Sequence, residues 1–318
     1  MQGLAFDDIL AALATVPLHT DDLVRLRDWM ASINHPGECL ALIEQAAGTP
    51  PCPRCQCLRV HRCGHASGLQ RYRCCRCGRS YNALTGTPLA RLRLKEKWLP
   101  YLQCVLESHS VRKAALAVGV DRTTSFRWRH RFVRGAMHER PRQLSPMVEA
   151  DETYLLESQK GSRQLDRPAR RRGGTAQRRG ISREHDCLLV ARDRSGQTAD
   201  FHTGRGPVTA SQLASCLHPL LATDAMLISD SAAAYKVFAR RCGIAHEAVN
   251  LKAGIRARGA IHLQNVNGWH SRFKNWLLRF RGVASRYLVN YSGWQRVLGD
   301  RRLNTPPLLL RAAVQFGK

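Results

Sequence analysis

The sequence predicts a multidomain chain in which N-terminal helices, a small cysteine-rich module and a helical segment precede a larger mixed α/β domain. Three observations carry this prediction. Two C-x₂-C pairs fall within residues 52–77, apolar residues recur at helical spacing between about 92 and 138, and strand and helix patterns alternate from Met147 to about Tyr291. With 318 residues the chain can form one large domain or two or three smaller ones, each boundary falling where the pattern changes. We place the segments at 1–48, 49–90, 91–140 and 147–295, with a C-terminal tail over 296–318.

Fifty Lys and Arg against twenty-four Asp and Glu leave a net charge of +26, spread along the chain. A surface of that sign gains affinity for polyanions by releasing the counterions condensed on phosphates, so nucleic acid is the expected partner. Charge alone leaves open a ribosome-associated or merely soluble basic protein. No apolar run approaches the ~20 residues of a membrane helix. Met1 to Phe6 also lack the basic-then-apolar pattern of a secretory signal, so the expected location is the cytoplasm. In that reducing compartment the twelve cysteines are expected as metal ligands before disulfides.

Residues 1–48 read as two short helices, with Ile9, Leu10, Leu13 and Val16 spaced along the first and Leu23, Leu26, Trp29 and Met30 along the second. Cys52-Pro53-Arg54-Cys55 and Cys74-Cys75-Arg76-Cys77 follow as two knuckles, each able to bring two thiolates to one ion from a tight turn. Together they complete a tetrahedral set for structural Zn²⁺. Residues 58–62 and 70–73, joined by a turn, supply the hairpin of a zinc ribbon. Cys57, Cys63 and Cys75 are surplus, and Cys75 could replace a neighbour, although only Cys74 and Cys77 keep the two-residue spacing.

Residues 110–129 have the pattern of a helix-turn-helix. Ala114 and Ala115 permit close packing, Gly119 supplies the turn, Asp121 caps the second helix, and Val120, Phe126 and Trp128 are expected in the small core. The second helix then presents Arg122, Thr123, Thr124, Arg127 and Arg129, side chains suited to a DNA major groove. An ordinary helical hairpin is the other reading.

In the α/β domain, Val148-Glu149-Ala150-Asp151-Glu152-Thr153-Tyr154 and Met226-Leu227-Ile228-Ser229-Asp230 read as strands carrying an Asp, with 187–191 and 199–203 as expected sheet neighbours. Two carboxylates brought together repel unless a cation lies between them, and Mg²⁺ is the usual occupant. A lone Asp at a strand end is more often a cap or turn residue. A third stretch adds weight. From Trp269 onward Trp269, Phe273, Trp276, Leu277 and Phe280 form an apolar stripe, while Asn267, His270, Ser271 and Lys274 fall on the other side. Asn267 could offer an oxygen to a metal and Lys274, about 10 Å along the axis, could hold a phosphate. Between the first two strands, 160–183 is rich in Arg, Lys and Gly and is expected as an exposed, mobile insertion, either solvated or in contact with phosphates.

Taken in order, the two cysteine knuckles, Leu84-Thr85-Gly86-Thr87, Lys97-Trp98, the helix pair, the Asp151 strand, Ser229-Asp230 and the stretch from Ile261-His262 to Lys274 resemble bacterial insertion-sequence transposases of the zinc-ribbon, "insertion sequence XO two-like" group. The resemblance covers about residues 50–295. It implies a ribonuclease-H-like DDE-type catalytic domain in which Asp151, Asp230 and Asn267 bind two Mg²⁺ or Mn²⁺ ions and Lys274 is the associated lysine. Many relatives carry Glu at the third position, so this chain resembles an Asp-Asp-Asn-Lys variant. Asn brings a neutral oxygen and less charge to a second ion. The implied partners are double-stranded DNA, as element ends and as target, and further copies of the chain. The implied activity is metal-dependent strand cleavage and transfer. A non-enzymatic DNA-binding regulator is the alternative, and it leaves the α/β half unexplained.

Overall fold

The computed structural model describes residues 6–17, 19, 21–23, 37–135, 140–144, 146–171, 173–250, 254, 257–299 and 303–315. At the N-terminus, α1 (Phe6–Thr15) is the first expected helix, whereas Leu26, Trp29 and Met30 of the second lie outside the described residues. A helix that the spacing did not predict, α2 (Glu38–Ala47), buries Cys39 and Ile43.

The cysteine module is a three-stranded antiparallel sheet of β1 (Val60–Ala66), β2 (Leu69–Cys74) and β3 (Ser80–Asn82). Ser67 and Gly68 close its hairpin with φ of 53° and 80°, the paired positive values of a two-residue turn that follows strand twist. Next come α3 (Trp98–Leu106), α4 (Val111–Val118) and α5 (Arg122–Phe132). Ala114 and Ala115 are buried where the helices meet, and Gly119 ends α4 with φ 64°. The Lys97 Nζ donates to the Gly119 carbonyl at 2.7 Å, and Asp121 Oδ1 accepts the Thr123 N–H at 2.7 Å to start α5. The expected core of this pair needs one correction. Trp128 is buried, but Phe126 is 40% exposed, and the fully buried Ser125 takes the inner position, its Oγ donating to the Val111 carbonyl.

The α/β half is a five-stranded sheet of β4 (Met147–Leu156), β5 (His185–Asp193), β6 (Thr198–Arg205), β7 (Met226–Asp230) and β8 (Ala245–Val249), in the order β6-β5-β4-β7-β8. The first three strands in sequence run antiparallel, and β7 and β8 run parallel to β4. Parallel pairing requires a crossover, which α6 (Ala210–Leu217) provides before β7 and α7 (Ala233–Cys242) before β8. Alternation along the strands divides two cores. Val148, Ala150, Leu189 and Leu227 meet Leu213, Tyr235 and Phe238 of α6 and α7 on one face. A short hairpin, β9 (Ala257–Arg258) with β10 (Ile261–His262), leads into α8 (Gln264–Leu278), which covers the other face with Val266, Trp269, Phe273 and Trp276.

Two helices follow, α9 (Leu288–Gly299) and α10 (Pro306–Gln315). The expected tail over 296–318 therefore begins inside one helix and contains another, whose Leu309, Leu310, Ala313 and Val314 are buried against α2 and α3. Pro306 and Pro307 stand in the first turn of α10, where a missing N–H costs nothing. One hydrophobic core consequently runs from Ile43 and Trp98 through Trp128 to Leu188, Trp276, Trp294 and Leu310. Among the described residues no helix is long and apolar enough to cross a membrane.

Candidate active site

Position on the sheet is set by a residue whose spacing in the sequence suggested no role. Glu149, fully buried in β4, accepts the Asn265 and Val266 N–H groups on Oε2 at 2.8 and 3.0 Å and the Asn265 side-chain amide on Oε1 at 2.7 Å. These are the second and third N–H groups of α8, whose own N-cap residue, Leu263, has no polar side chain to offer them. Arg194 bonds to the same carboxylate, and His262 Nδ1 lies 3.2 Å from it. A negative charge at a helix N-terminus is also favoured by the helix dipole. The available signal was parity, since Glu149 and Asp151 share one face of β4 and only one of them could be explained by a metal.

Two residues further along, Asp151 projects toward α8. Pairing between β4 and β7 ends with Glu149 opposite Ile228, so Asp151 and Asp230 lie two residues beyond it on adjacent parallel strands. Asp230 is the last residue of β7, and its Oδ1 accepts the Ala232 N–H at 3.0 Å. Burial, followed by repulsion from Asp230, pushes the Asp151 carboxyl up to about 6 against the pull of a backbone N–H and of Lys274. Glu152 points to the opposite face, where Tyr235 and Tyr154 donate to it, and burial together with Asp151 and Asp230 pushes it up to about 7.

From α8, Asn267, His270 and Lys274 recur at helical spacing on one face. His270 is 7% exposed, with Nδ1 3.8 Å from Asp151 Oδ2 and a buried Nε2 that has no hydrogen-bond partner. Burial, followed by Lys274, holds the ring down to about 4, so it faces Asp151 as a neutral imidazole. Asn267 and Lys274 are exposed. The structure thus brings Asp230 and Lys274 into electrostatic reach of Asp151 and adds His270, which the sequence placed on this face without a function. Among the described residues the Asn267 side chain has no hydrogen bond or ion pair.

Residues 143–294 match the ISXO2-like transposase domain. Those residues form a transposase domain of that family. A curated relative, an uncharacterized protein in transposable element ISH50 of Halobacterium salinarum, is 28% identical over 244 residues, covering 76% of this chain and 82% of that protein. A crystal structure of a pre-cleavage Mos1 transpososome aligns over 68% of this chain and 78% of that chain at 14% identity. Its TM-score of 0.22 is too low to bear on the fold.

Ahead of the transposase domain, the Sγ atoms of Cys52, Cys55, Cys74 and Cys77 all lie within 4.8 Å of one another. The nearest pairs, Cys52–Cys77, Cys55–Cys77 and Cys55–Cys74, are 3.5, 3.5 and 3.6 Å apart. Four thiolates about 2.3 Å from a central Zn²⁺ would stand just under 4 Å apart, so the set fits that ion. N–H groups of Cys77 and Arg76 pull the Cys74 thiol down to about 6 against the effect of burial. Gln56 and Gly78, each one residue past a knuckle, take φ of 56° and 68° to make the two turns alike. Cys57, Cys63 and Cys75 stay outside the cluster.

Of the groove-reading candidates beside the transposase domain, Arg122, Thr123 and Arg127 are exposed on α5 and Thr124 is half-buried. Arg129 is not available to DNA. It is fully buried, donates to the His109 carbonyl, and lies over the rings of Phe280 and Trp294 at 5.6 and 5.2 Å. The basic insertion is likewise less free than expected. Arg167 and Arg170 bind Glu157, which is buried at the end of the first strand, Arg170 also binds Glu184, and Lys160 donates to the carbonyls of Arg281 and Gly282.

Two outcomes follow from the clamp and the acids. Leaving its partners buried and unpaired, Glu149→Ala should cost about 3–5 kcal/mol in urea unfolding, with Glu149→Gln losing less. An unchanged midpoint in Glu149→Ala would show the clamp to be idle. Asp151 and Glu152 hold protons more tightly folded, at about 6 and 7, than unfolded, near 4. In the metal-free protein their stabilising contribution is therefore complete below about pH 4 and lost as pH rises through 6 to 7. With chelator present, Asp151→Asn should exceed the parent by about 1–3 kcal/mol at alkaline pH and match it in acid. Thermal unfolding across pH checks this.

Proposed function

We propose that the chain is an insertion-sequence transposase acting in the cytoplasm on double-stranded DNA, cleaving the ends of its element and joining them to target DNA as a homo-oligomer. The single observation that carries the catalytic reading is the placement of Asp151 and Asp230 level on adjacent parallel strands, with a helix bearing Asn267, His270 and Lys274 over the same face. The antiparallel β4-β5-β6 meander followed by parallel β7 and β8 supports a ribonuclease-H-like assignment for the sheet.

Hard oxygen donors from two carboxylates and an amide suit Mg²⁺ or Mn²⁺, and Asp151, Asp230 and Asn267 would hold it. When bound, such an ion activates a water or 3′-hydroxyl oxygen and offsets charge on the leaving oxygen. The chain's own residues do the rest. Burial first, and then repulsion from Asp230, raises the Asp151 carboxyl, and a cation bound at this edge would relieve both. Neutral His270 walls that edge and adds no positive charge to it. Lys274 holds a phosphate beside the acids and keeps both sides of an in-line displacement in place. Cys52, Cys55, Cys74 and Cys77 would hold structural Zn²⁺ in a ribbon, and α4 and α5 would act as the DNA-binding helix-turn-helix, with Arg122, Thr123, Thr124 and Arg127 at the groove.

Purified protein should contain one zinc per chain by elemental analysis, and Cys52→Ser should lose it; zinc content unaffected by Cys52→Ser would remove that residue from the site. For catalysis, Asp151→Asn and Asp230→Asn should abolish Mg²⁺-dependent strand cleavage of a fragment carrying the element ends while binding it like the parent. Asn267→Ala should also inactivate, Asn267→Glu should retain activity, and Lys274→Ala should weaken phosphate engagement. Normal cutting by either Asp variant would overturn the catalytic assignment.

A further inference from the structure

A cleft of about 1040 Å³ opens between the start of α4, one flank of α5 and the 279–287 turn that follows α8. Arg112, Arg122, Lys160, Arg279, Arg281 and Arg286 line it, all six exposed, and no carboxylate lines it. Among the described residues none of the six is in an ion pair, although the acids Glu157, Asp186 and Asp200 elsewhere in the same half are all paired. Six like charges around one opening, drawn from three separate stretches of the chain, repel one another until an anion enters.

The walls are fixed before anything binds. Arg281 and Gly282 turn with φ of 50° and 99°, and Lys160 Nζ holds both of their carbonyls at 2.9 Å. Tyr287 stacks on His130 with centroids 3.8 Å apart and meets the exposed Phe126 edge-on at 5.6 Å. Burial, followed by Arg129 and Arg286, holds His130 down to about 4, so the positive field of the cleft is felt on its floor. The flanks of α5 are divided. Arg122 and Phe126 face this cleft, whereas Thr124 and Arg127 line a separate hollow of about 580 Å³ with Arg91 and Arg93.

We propose that this cleft binds the phosphate backbone of duplex DNA, gripped jointly by α5 and the 279–287 turn. The proposal rests on the transposase reading and adds a second DNA contact, made by the catalytic half itself. It also fixes a distance. The twelve residue steps from Asn267 to Arg279, the residue just past the end of α8, rise about 18 Å. Backbone held in the cleft would therefore lie roughly five base pairs from the phosphate presented to Asp151 and Asp230, at ~3.4 Å per pair. Of the groove candidates on that helix, Thr123, Thr124 and Arg127 are then left to read bases.

The test uses the full chain and a fluorescein-labelled duplex of arbitrary sequence, because backbone contacts are independent of sequence. Anisotropy titrations over a range of KCl give the slope of log affinity against log salt. The Arg281→Gln/Arg286→Gln pair should lower that slope by about 2, roughly one for each phosphate that the variant no longer neutralises. Arg240→Gln/Arg241→Gln, on α7 across the sheet, should leave it unchanged, and matching melting temperatures confirm that both variants are folded. An unchanged slope in the Arg281/Arg286 variant, with the parent binding normally, overturns the cleft and leaves the transposase reading standing. An equal drop in slope in the two variants also overturns it, since charge anywhere would then suffice. Failure of the parent to bind duplex even at low salt would remove both.

Discussion

The sheet face that carries Asp151 and Asp230 depends on one buried carboxylate accepting first-turn N–H groups of a helix from across the fold. Glu149 comes from β4 and its main partners, Asn265 and Val266, come from α8, more than a hundred residues later. A helix started this way cannot slide along the sheet without leaving its own N–H groups and a buried charge unpaired, a cost of several kcal/mol. The geometry downstream inherits that constraint. Asp151 is two residues from Glu149 on one element, and Asn267, His270 and Lys274 follow Val266 on the other, so a single contact registers the acids to the helix above them.

The same device recurs around the sheet. Asp200 on β6 receives Ser292 and Arg296 from α9, Asp186 on β5 receives His202 and Ser285, and Glu157 at the end of β4 receives Arg167, Arg170 and Arg205. Each acid fastens a segment that no strand pairing would hold. In a chain with only twenty-four acids and a net charge of +26, placing several of them inside also leaves the outer surface to the cations. The cleft lined by six exposed Arg and Lys side chains is one place where that imbalance gathers.

Local pattern made much of this fold legible. Cysteine spacing located the four-sulfur cluster, period-two alternation found β4 and a continuous apolar run found β7 with their Asp residues, and Gly119 and Asp121 marked the turn between the paired helices. What was missed depends on partners far away in sequence. Arg129 reads as one more exposed cation on a polar helix, and only Phe280 and Trp294, about 150 and 165 residues later, make its burial favourable. Ser125 displaced Phe126 from the core because a small residue lets α5 approach α4 and Tyr101 closely, while the ring found Tyr287 instead. The last helix was missed as well, since its apolar face has meaning only beside α2 and α3.

These long-range contacts also limit how the molecule can work. Trp276 donates to Ser108, Asn290 meets His130, and Arg129 lies between Phe280 and Trp294, so the helix pair and the transposase domain share side chains and not merely a linker. Swinging α5 away from the sheet would expose Trp128, Trp276 and Trp294 together, each worth about 1.5–3 kcal/mol of burial, and would strand a buried guanidinium. The distance from α5 to the acid pair is therefore a property of the folded chain. DNA engaged by both must meet that distance by its own path and bending, at a cost of order 1–6 kcal/mol for a strongly bent site. Because that cost depends on the sequence being bent, a rigid connection between the two halves would select among DNA sites even at positions that no side chain touches.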